Sequence, residues 1–192
     1  MFIRSERLFL RPGWPEDWSE IMAQVADEAV VRNLVQLPWP YTPDAAREFA
    51  VQPQDARCPH FLVTRPGPNG AELVGCIGLK QGAAGTELGY WIGRAHWGQG
   101  YASEAARAVL SLAQTLGHRQ LRARHFVDNP ASGRVLRKLG FAPTGAVGES
   151  FSHARGAMAP SVVLAVELGD ASDCDAKDCD GGDSAMLAKR AA

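Results

Sequence analysis

The sequence has little of what marks nucleic-acid-binding, membrane or secreted proteins. Lysine and arginine number 20 against 21 aspartate and glutamate residues, a formal net charge of −1, whereas proteins whose main ligand is nucleic acid usually carry a basic excess. No apolar run approaches the roughly 18 residues needed to cross a bilayer. The N-terminus lacks the apolar region and cleavage site of a secretory signal. We therefore expect a cytoplasmic protein that acts on neither nucleic acid nor a membrane.

The four cysteines form no pattern that predicts disulfides, a metal site or a nucleophile. Cys58 and Cys76 lie in the body of the chain, and Cys174 and Cys179 lie near its end. A Cys-x4-Cys spacing without a second pair or a nearby histidine is a poor zinc pattern. We expect four reduced thiols, no metal, and chemistry that does not pass through a cysteine.

A chain of 192 residues, of which 46% are hydrophobic and 21% charged, is long enough for one domain and short for two. Residues 170–192 differ from the rest, with six acids, three bases and no aromatic residue. Such a composition buries too little apolar surface to fold by itself. We expect one domain over residues 1–169 and a disordered acidic tail over 170–192.

The first half of the chain predicts short strands and short helices. Thr42 and Pro43, for example, combine an N-cap residue with proline at the first helical position. Three prolines over residues 37–43 exclude a helix or a central strand just before that helix. The predicted elements are strands over 3–11, 60–65, 72–80 and 87–92, helices over 15–26, 27–34 and 42–51, and a turn at 66–70.

The second half changes its hydrophobic period. Apolar residues from Ala102 to Leu116 recur at spacings of 3, 4, 3 and 4, which predicts an amphipathic helix ended by Gly117. A strand over 120–126, a helix over 131–139 and strands from 141 and over 161–167 follow. The sum is a single α+β domain built on one mostly antiparallel sheet.

The strongest chemical signal lies in residues 88–104, where a predicted strand enters Gly98-Gln99-Gly100 and the loop enters a helix. Glycine lets the backbone approach a ligand closely, and the first N–H groups of a helix lack internal partners at the positive end of its dipole. The pattern favours phosphate binding; a tight turn without a ligand is the alternative. Ser103 stands where the dinucleotide fingerprint needs a third glycine, and no P-loop motif is present.

Basic residues are concentrated around this loop. Between Arg94 and Lys138 there are eight lysines and arginines against Glu104 and Asp128. A basic segment within a neutral protein indicates a local anionic ligand, although a solvated helix face would give the same pattern.

Two segments resemble the signatures of the GNAT superfamily of N-acetyltransferases. Residues 97–102 resemble its acyl-coenzyme A loop, Arg/Gln-x-x-Gly-x-Gly/Ala, with Trp97 in place of the usual first residue. The stretch from Asn129 to Phe141 resembles a second signature, Asn-x-x-Ser followed by a helix ending Lys-Leu-Gly-Phe. The opening ERLFLRP and the Gly-Tyr-Trp strand resemble the branch that includes acetyltransferases of ribosomal-protein N-termini. The resemblance covers about residues 3–168.

This resemblance implies a fold and an acetyl-coenzyme A site. The fold would have helices on both faces of a mixed, mostly antiparallel sheet whose central strands, 87–92 and 120–126, splay apart around the pantetheine. Backbone groups near Trp91 and Ile92 would pair with its amides, and Asn129 would bond the cofactor or the strand backbone. The residues expected to hold the pyrophosphate are Gly98, Gln99, Gly100, Tyr101 and Ala102, and those expected to screen the remaining phosphate are among Arg94, Arg134, Arg137 and Lys138.

The resemblance also implies catalytic groups. Glu87 is the expected base, acting directly or through water; a solvent-facing carboxylate at a strand end is the alternative. Many members place a tyrosine acid on the last helix, where this chain has Leu136. We therefore expect Ser132 to hydrogen-bond the departing thiolate, with a helix cap as the alternative. Trp39 and Tyr41 are expected to line the acceptor cleft, with packing on a helix as the alternative.

The expected function is direct transfer of an acetyl group from acetyl-coenzyme A to a primary amine, either a protein N-terminus or a small molecule. Two alternatives remain open: a non-catalytic acyl-coenzyme A-binding sensor and another kind of nucleotide-binding protein. The sequence does not identify the amine, and the resemblance leaves a homodimer open.

Overall fold

The computed structural model describes residues 1–68 and 70–169, and an eight-stranded sheet forms its centre. The strands follow the order β1-β2-β3-β4-β5-β6-β8-β7, and all neighbours are antiparallel except β5 and β6. Their bounds are β1 Ile3–Arg4, β2 Phe9–Arg11, β3 His60–Gly67, β4 Gly70–Gly82, β5 Gly85–Ile92, β6 Gln120–Phe126, β7 Ala142–Ser152 and β8 Ala157–Glu167.

Within the described residues, five α-helices lie on the sheet: α1 Trp18–Val25, α2 Glu28–Val31, α3 Pro43–Ala50, α4 Tyr101–Thr115 and α5 Pro130–Lys138. The predicted helix start at Thr42 is confirmed, since its hydroxyl accepts a hydrogen bond from the N–H of Ala45 and Pro43 is the first helical residue. In the described part of the chain, no helix is long and apolar enough to span a bilayer.

The helices divide between the two faces of the sheet. One apolar cluster packs α4 and α5 against Leu88 and Leu121. The other packs α1, α2 and α3 against Leu62 and Trp91. The sheet is therefore buried on both sides, which confirms the predicted α+β class and the helices on both faces.

The central strands part as predicted. β4 and β5 stay in register from Gly82 opposite Gly85 as far as Gly75 opposite Ile92. By contrast, β5 and β6 share a single register pair, Glu87 with Arg122. Beyond that pair the two parallel strands diverge toward their carboxyl ends, so β5 carries peptide groups there without a neighbouring strand on that side.

The prediction of one continuous strand over residues 3–11 is wrong, because the structure has two short strands there. The chain reverses between β1 and β2, and Ile3 lies opposite Leu10. Ser5 holds the reversal, because its N–H donates to the carbonyl of Leu8 at 2.9 Å while its hydroxyl donates to Glu104 at 2.7 Å. The acceptor on Glu104 is 99 residues away, so the alternation of residues 3–11 could not reveal it.

Three further expectations differ in extent. The helix predicted over 27–34 is reduced to α2, whose N-cap is Asp27. The turn predicted at 66–70 is shorter, because β3 continues to Gly67 and β4 begins at Gly70; Asn69 lies outside the described residues. The tail predicted over 170–192 also lies outside them.

Gly133 is required on α5 because the helix approaches β6 closely. A Cβ at this position would lie 2.7 Å from Nε2 of His125. The Nδ1–H of His125 donates to the carbonyl of Phe126 at 2.8 Å, which leaves Nε2 buried and without a partner among the described residues. The missing side chain of Gly133 is therefore what lets the start of α5 sit on the strand.

We predict that Gly133→Ala destabilises the protein. Alanine favours a helix over glycine by about 1 kcal/mol, but overpacking against a rigid ring costs about 1–3 kcal/mol, so a net loss of roughly 1 kcal/mol is expected. Chemical unfolding followed by circular dichroism measures it. A variant as stable as the wild type would show that α5 moves away from β6 without cost.

Candidate functional site

Left-handed glycines shape the loop between β5 and α4. After Ile92 a single 3-10 turn, Arg94–His96, leads into Gly98 with φ +75° and Gly100 with φ +83°. Residues other than glycine rarely adopt these backbone angles. The loop therefore depends on these two glycines to turn the chain into α4 at Tyr101.

The amides of this loop lack acceptors within the protein. From Gly98 to Ser103, none of the backbone N–H groups donates a hydrogen bond to any residue that the structure describes, and the first to do so is Glu104, to the carbonyl of Gly100 at 3.1 Å. Such N–H groups lie at the positive end of the α4 dipole, a 15-residue helix. Neighbouring free donors at a helix N-terminus form a site for an anion, above all a phosphate.

Glu104 ties this helix start to the turn between β1 and β2. Its carboxylate is buried and accepts hydrogen bonds from the hydroxyl of Ser5 at 2.7 Å, the N–H of Arg7 at 2.7 Å and Nε of Arg7 at 2.8 Å. Nη2 of Arg7 lies 2.7 Å from the same carboxylate. Burial raises the pKa of Glu104, but these hydrogen bonds outweigh burial and hold the pKa below its usual value.

Arg7 is a site residue that the sequence did not reveal. Its guanidinium donates to the carbonyl of Gln99 at 3.2 Å and lies 4.9 Å above the ring of Tyr101. Nearly half of its side chain is exposed. A fixed positive charge therefore stands beside the free amides. The partners of Arg7 are more than 90 residues away, so no local pattern in the sequence could assign it this place.

Trp97 fixes the loop to the end of β5. Its indole N–H donates to the carbonyl of Ile92 at 2.7 Å, so that carbonyl already has a partner. The carbonyl of Trp91 packs against Gly75 of β4, on the side away from β6. The N–H and C=O of one strand residue point to the same side. Of the two residues predicted here, Ile92 therefore directs its N–H toward the gap between β5 and β6, and Trp91 does not.

Asn129 and Ser132 lie together at the start of α5. Asn129 is the N-cap, and its side-chain oxygen accepts from the N–H of Ser132 at 3.2 Å. The cap is therefore Asn129, and the hydroxyl of Ser132 is not needed for it. That hydroxyl lies 2.8 Å from the hydroxyl of Tyr90 on β5. Burial raises the pKa of Tyr90 to about 12, against a lowering effect of its bond with Ser132.

Glu87 lies at the point where β5 and β6 begin to diverge. Its Oε1 accepts from Nη2 of Arg124 at 2.9 Å, and Nη1 of Arg124 donates to the hydroxyl of Ser150 at 3.1 Å. Side chains of a strand alternate between faces, so Glu87 shares the α1–α3 face with Trp91, while Tyr90 lies on the α4–α5 face. The structure thus places Glu87 and Ser132 on opposite sides of the sheet.

The two aromatic residues predicted for an acceptor cleft differ in exposure. Trp39 is 40% exposed, whereas Tyr41 is 4% exposed and belongs to the apolar cluster of α1–α3. The hydroxyl of Tyr41 donates to the carbonyl of Ala45 at 3.3 Å, and burial raises its pKa to about 12. Tyr41 is therefore a core residue, which neither interpretation of it expected, and of the two predicted residues Trp39 alone presents a surface.

Of the four basic residues predicted to screen the remaining phosphate, three lie on α5. Arg134, Arg137 and Lys138 are exposed along its outer side. Arg94 follows β5 and lies 3.6 Å from Asp27, with two thirds of its side chain exposed. Arg7 is therefore the cation that the structure places in contact with the loop of free amides, and the other predicted basic residues are exposed on α5 and after β5.

Comparison with known proteins points to one family. Residues 7–142 match the model described as acetyltransferase (GNAT) domain. The chain is also 32% identical over 152 residues to the N-acetyltransferase YoaA of Bacillus subtilis (strain 168), covering 74% of this chain and 84% of that protein.

Solved structures show the same fold. An acetyltransferase of the GNAT family from Bacillus anthracis superposes with a TM-score of 0.75 at 26% identity, covering 88% of this chain and 99% of that one. RimL, a ribosomal L7/L12 α-N-protein acetyltransferase in complex with coenzyme A, superposes with a TM-score of 0.71 at 19% identity, covering 88% and 98%. The second likeness, at this identity, is one of fold.

We predict that Glu104→Gln destabilises the protein by about 1–3 kcal/mol at neutral pH, because it removes a buried charge that accepts several hydrogen bonds. The folded-state pKa of Glu104 is lowered, so its contribution is complete above the unfolded pKa of about 4.3. It disappears as the pH falls through the lower folded value.

Urea unfolding of both proteins between neutral and acid pH measures this difference. Asp44→Asn is the control, since the ion pair of Asp44 with Arg47 is exposed and is expected to contribute less than about 1 kcal/mol. A Glu104→Gln deficit no larger than that of Asp44→Asn would contradict the anchoring role.

Proposed function

The chain belongs to the GNAT family of N-acetyltransferases, and from this premise we propose that it transfers the acetyl group of acetyl-coenzyme A directly to a primary amine. The observation that carries the proposal is the run of free amides from Gly98 to Ser103 at the start of α4. A diphosphate needs several donors close together, which this run supplies.

The groups around the free amides are suited to the other parts of acetyl-coenzyme A. Arg7 places its guanidinium at the loop, where it would face the diphosphate. Exposed basic residues on α5, Arg134, Arg137 and Lys138, would screen the further phosphate on the ribose. The pantetheine would lie in the gap between β5 and β6, where the N–H of Ile92 is directed. Asn129 would support this side of the gap by holding the first turn of α5.

Acetyl-coenzyme A supplies the acetyl group as a thioester. The protein must then hold a neutral amine at the thioester carbon, accept a proton from the amine, and stabilise the departing sulfur. We assign proton acceptance to Glu87, acting through water on the α1–α3 face, where Trp39 would line the approach of the amine. Arg124 lies 2.9 Å from the Glu87 carboxylate and would hold it at the point where β5 and β6 diverge.

The described cysteines support direct attack by the amine. Burial raises the pKa of Cys76 to about 12. Burial, together with the nearby charge of Asp55, also raises the pKa of Cys58. A nucleophilic cysteine needs a lowered pKa, so neither thiol is suited to form an acetyl-enzyme intermediate.

The acceptor is proposed by class. RimL, which shares the fold, acts on the N-terminus of a ribosomal protein by its own name. On the α1–α3 face the carboxylate of Glu87 is neutralised by Arg124. A polycationic acceptor would need several free carboxylates there. We therefore propose a single amine, either a protein N-terminus or a small molecule.

We predict that Glu87→Gln lowers kcat for acetyl transfer by about 100-fold or more, the usual contribution of a general base, and leaves the KM for acetyl-coenzyme A nearly unchanged. Thiol release from acetyl-coenzyme A is measured with peptide, amino acid, polyamine and aminoglycoside acceptors. Glu167→Gln is the control, because it changes an exposed strand carboxylate on β8, two strands from β5, that accepts from Gln120.

Two results would contradict these assignments. An unchanged kcat in Glu87→Gln would remove Glu87 from catalysis. Tight binding of coenzyme A without thiol release for any acceptor would favour an acyl-coenzyme A-binding sensor, and a preference for ATP over coenzyme A in a thermal-shift assay would favour another nucleotide ligand.

A further inference from the structure

We propose that the hydroxyl of Tyr90 is a positioning group for Ser132, fixing the serine hydroxyl as a donor toward the sulfur of the acyl donor. This inference rests on the proposed function, because it concerns the group that leaves when the acetyl group is transferred. It assigns a role to Tyr90, which belongs to the Gly-Tyr-Trp strand and lies outside the two signatures at residues 97–102 and 129–141.

The geometry places this pair across the gap in the sheet. Tyr90 lies on β5, two residues before its end, and Ser132 lies in the first turn of α5, which follows β6. Their hydroxyls are 2.8 Å apart although the residues are 42 positions apart in sequence. The pairing of β5 with β6 ends at Glu87, so the bond between Tyr90 and Ser132 bridges the divergent part of the two strands on the α4–α5 face.

Either hydroxyl of this pair can donate across the 2.8 Å contact, and the inference assigns the donor role to Tyr90. Tyr90 keeps its proton at neutral pH, since burial raises its pKa to about 12. The acceptors within reach of its hydroxyl are Oγ of Ser132 at 2.8 Å and the carbonyl of Ser132 at 3.4 Å. In the proposed arrangement Tyr90 donates to Oγ, the nearer of these acceptors, and uses one lone pair of the serine. The proton of Ser132 then points away from Tyr90.

Ser132 is free to direct that proton outward. The N-cap of α5 is Asn129, and the described contacts of the Ser132 hydroxyl are with Tyr90 alone. A serine that caps its own helix would accept from a backbone N–H and be held against the helix. In this protein Asn129 performs that task, and Ser132 is left as the outer member of a two-hydroxyl chain.

The chain of hydroxyls would stabilise the leaving group. When the amine nitrogen bonds to the thioester carbon, the carbon–sulfur bond breaks and its electron pair stays on sulfur. The amine loses its proton on the α1–α3 face, and the sulfur gains a hydrogen bond from Ser132 on the other face. Tyr90 strengthens that bond, because each donor in a chain polarises the next. No proton leaves Tyr90 in this step.

The bond between Tyr90 and Ser132 could serve only to join β5 to α5, without acting on the sulfur. Equilibrium binding of coenzyme A distinguishes that structural role from the proposed positioning role. Coenzyme A itself is the probe, and desulfo-coenzyme A, which lacks the thiol, is its control. Affinities are measured by calorimetry from about pH 7 to about pH 10, across the usual thiol pKa near 8.5. The protein's own charged groups are common to both complexes, so their effect on affinity cancels in the ratio of the two ligands.

For the wild type we predict that the affinity for coenzyme A relative to desulfo-coenzyme A rises about tenfold over this range, as a thiol pKa lowered by about one unit on binding requires. In Tyr90→Phe, Ser132→Ala and the double variant, the same affinity ratio is expected to change less than about twofold between the two pH limits. All three variants interrupt the same chain of two hydroxyls, so their effects are not additive. Tyr90→Phe is also expected to lower kcat while KM is retained.

Thr64→Val is the matched control, since it removes a buried hydroxyl that donates to the carbonyl of Phe9 at 2.9 Å, far from the gap. A full tenfold rise in Tyr90→Phe, or separate additive effects of the two single variants, would overturn the inference. If the wild type fails to bind coenzyme A, the proposed function fails. If it binds coenzyme A and releases thiol while Tyr90→Phe behaves as Thr64→Val, this inference alone fails.

Discussion

The contact on which the rest of the site depends is the one that Glu104 makes in the first turn of α4, below the amides that lack acceptors among the described residues. Its buried carboxylate joins α4 to the β1–β2 turn through Ser5 and Arg7. The contact also keeps the guanidinium of Arg7 at the loop. One carboxylate therefore neutralises and orients a cation, and it anchors the first turn of α4 below the free amides.

The second constraint is the gap between β5 and β6. Because pairing ends at Glu87 and Arg122, β5 can present groups to both sides of the sheet within a few residues. Glu87 faces the α1–α3 side, and Tyr90 reaches Ser132 on the α4–α5 side. In the proposed reaction this separates acceptance of a proton from stabilisation of the sulfur, so that two groups of opposite function do not neutralise each other.

Local patterns predicted most of the fold, and they failed where distant residues decide. The helix periods, the N-cap at Thr42 and the glycine loop are local features, and the structure has them. The break between β1 and β2 depends on a contact with Glu104, 99 residues away. Three further features likewise depend on side chains that the fold brings together. They are the place of Arg7, the burial of Tyr41 and the pairing of Tyr90 with Ser132. The sequence therefore predicted the candidate site, and the structure adds the distant residues that support its loop and its strands.

In the proposed function, the amides from Gly98 to Ser103 bind the diphosphate of the acyl donor. Nuclear magnetic resonance of the ¹⁵N-labelled protein tests it most directly, with coenzyme A compared with pantetheine, which lacks the phosphates. We expect the amide signals of Gly98 and Gly100 to shift with coenzyme A and to stay in place with pantetheine, while Gly117, at the other end of α4 with a φ of +81°, responds to neither. Unchanged Gly98 and Gly100 signals in a protein saturated with coenzyme A would contradict the account.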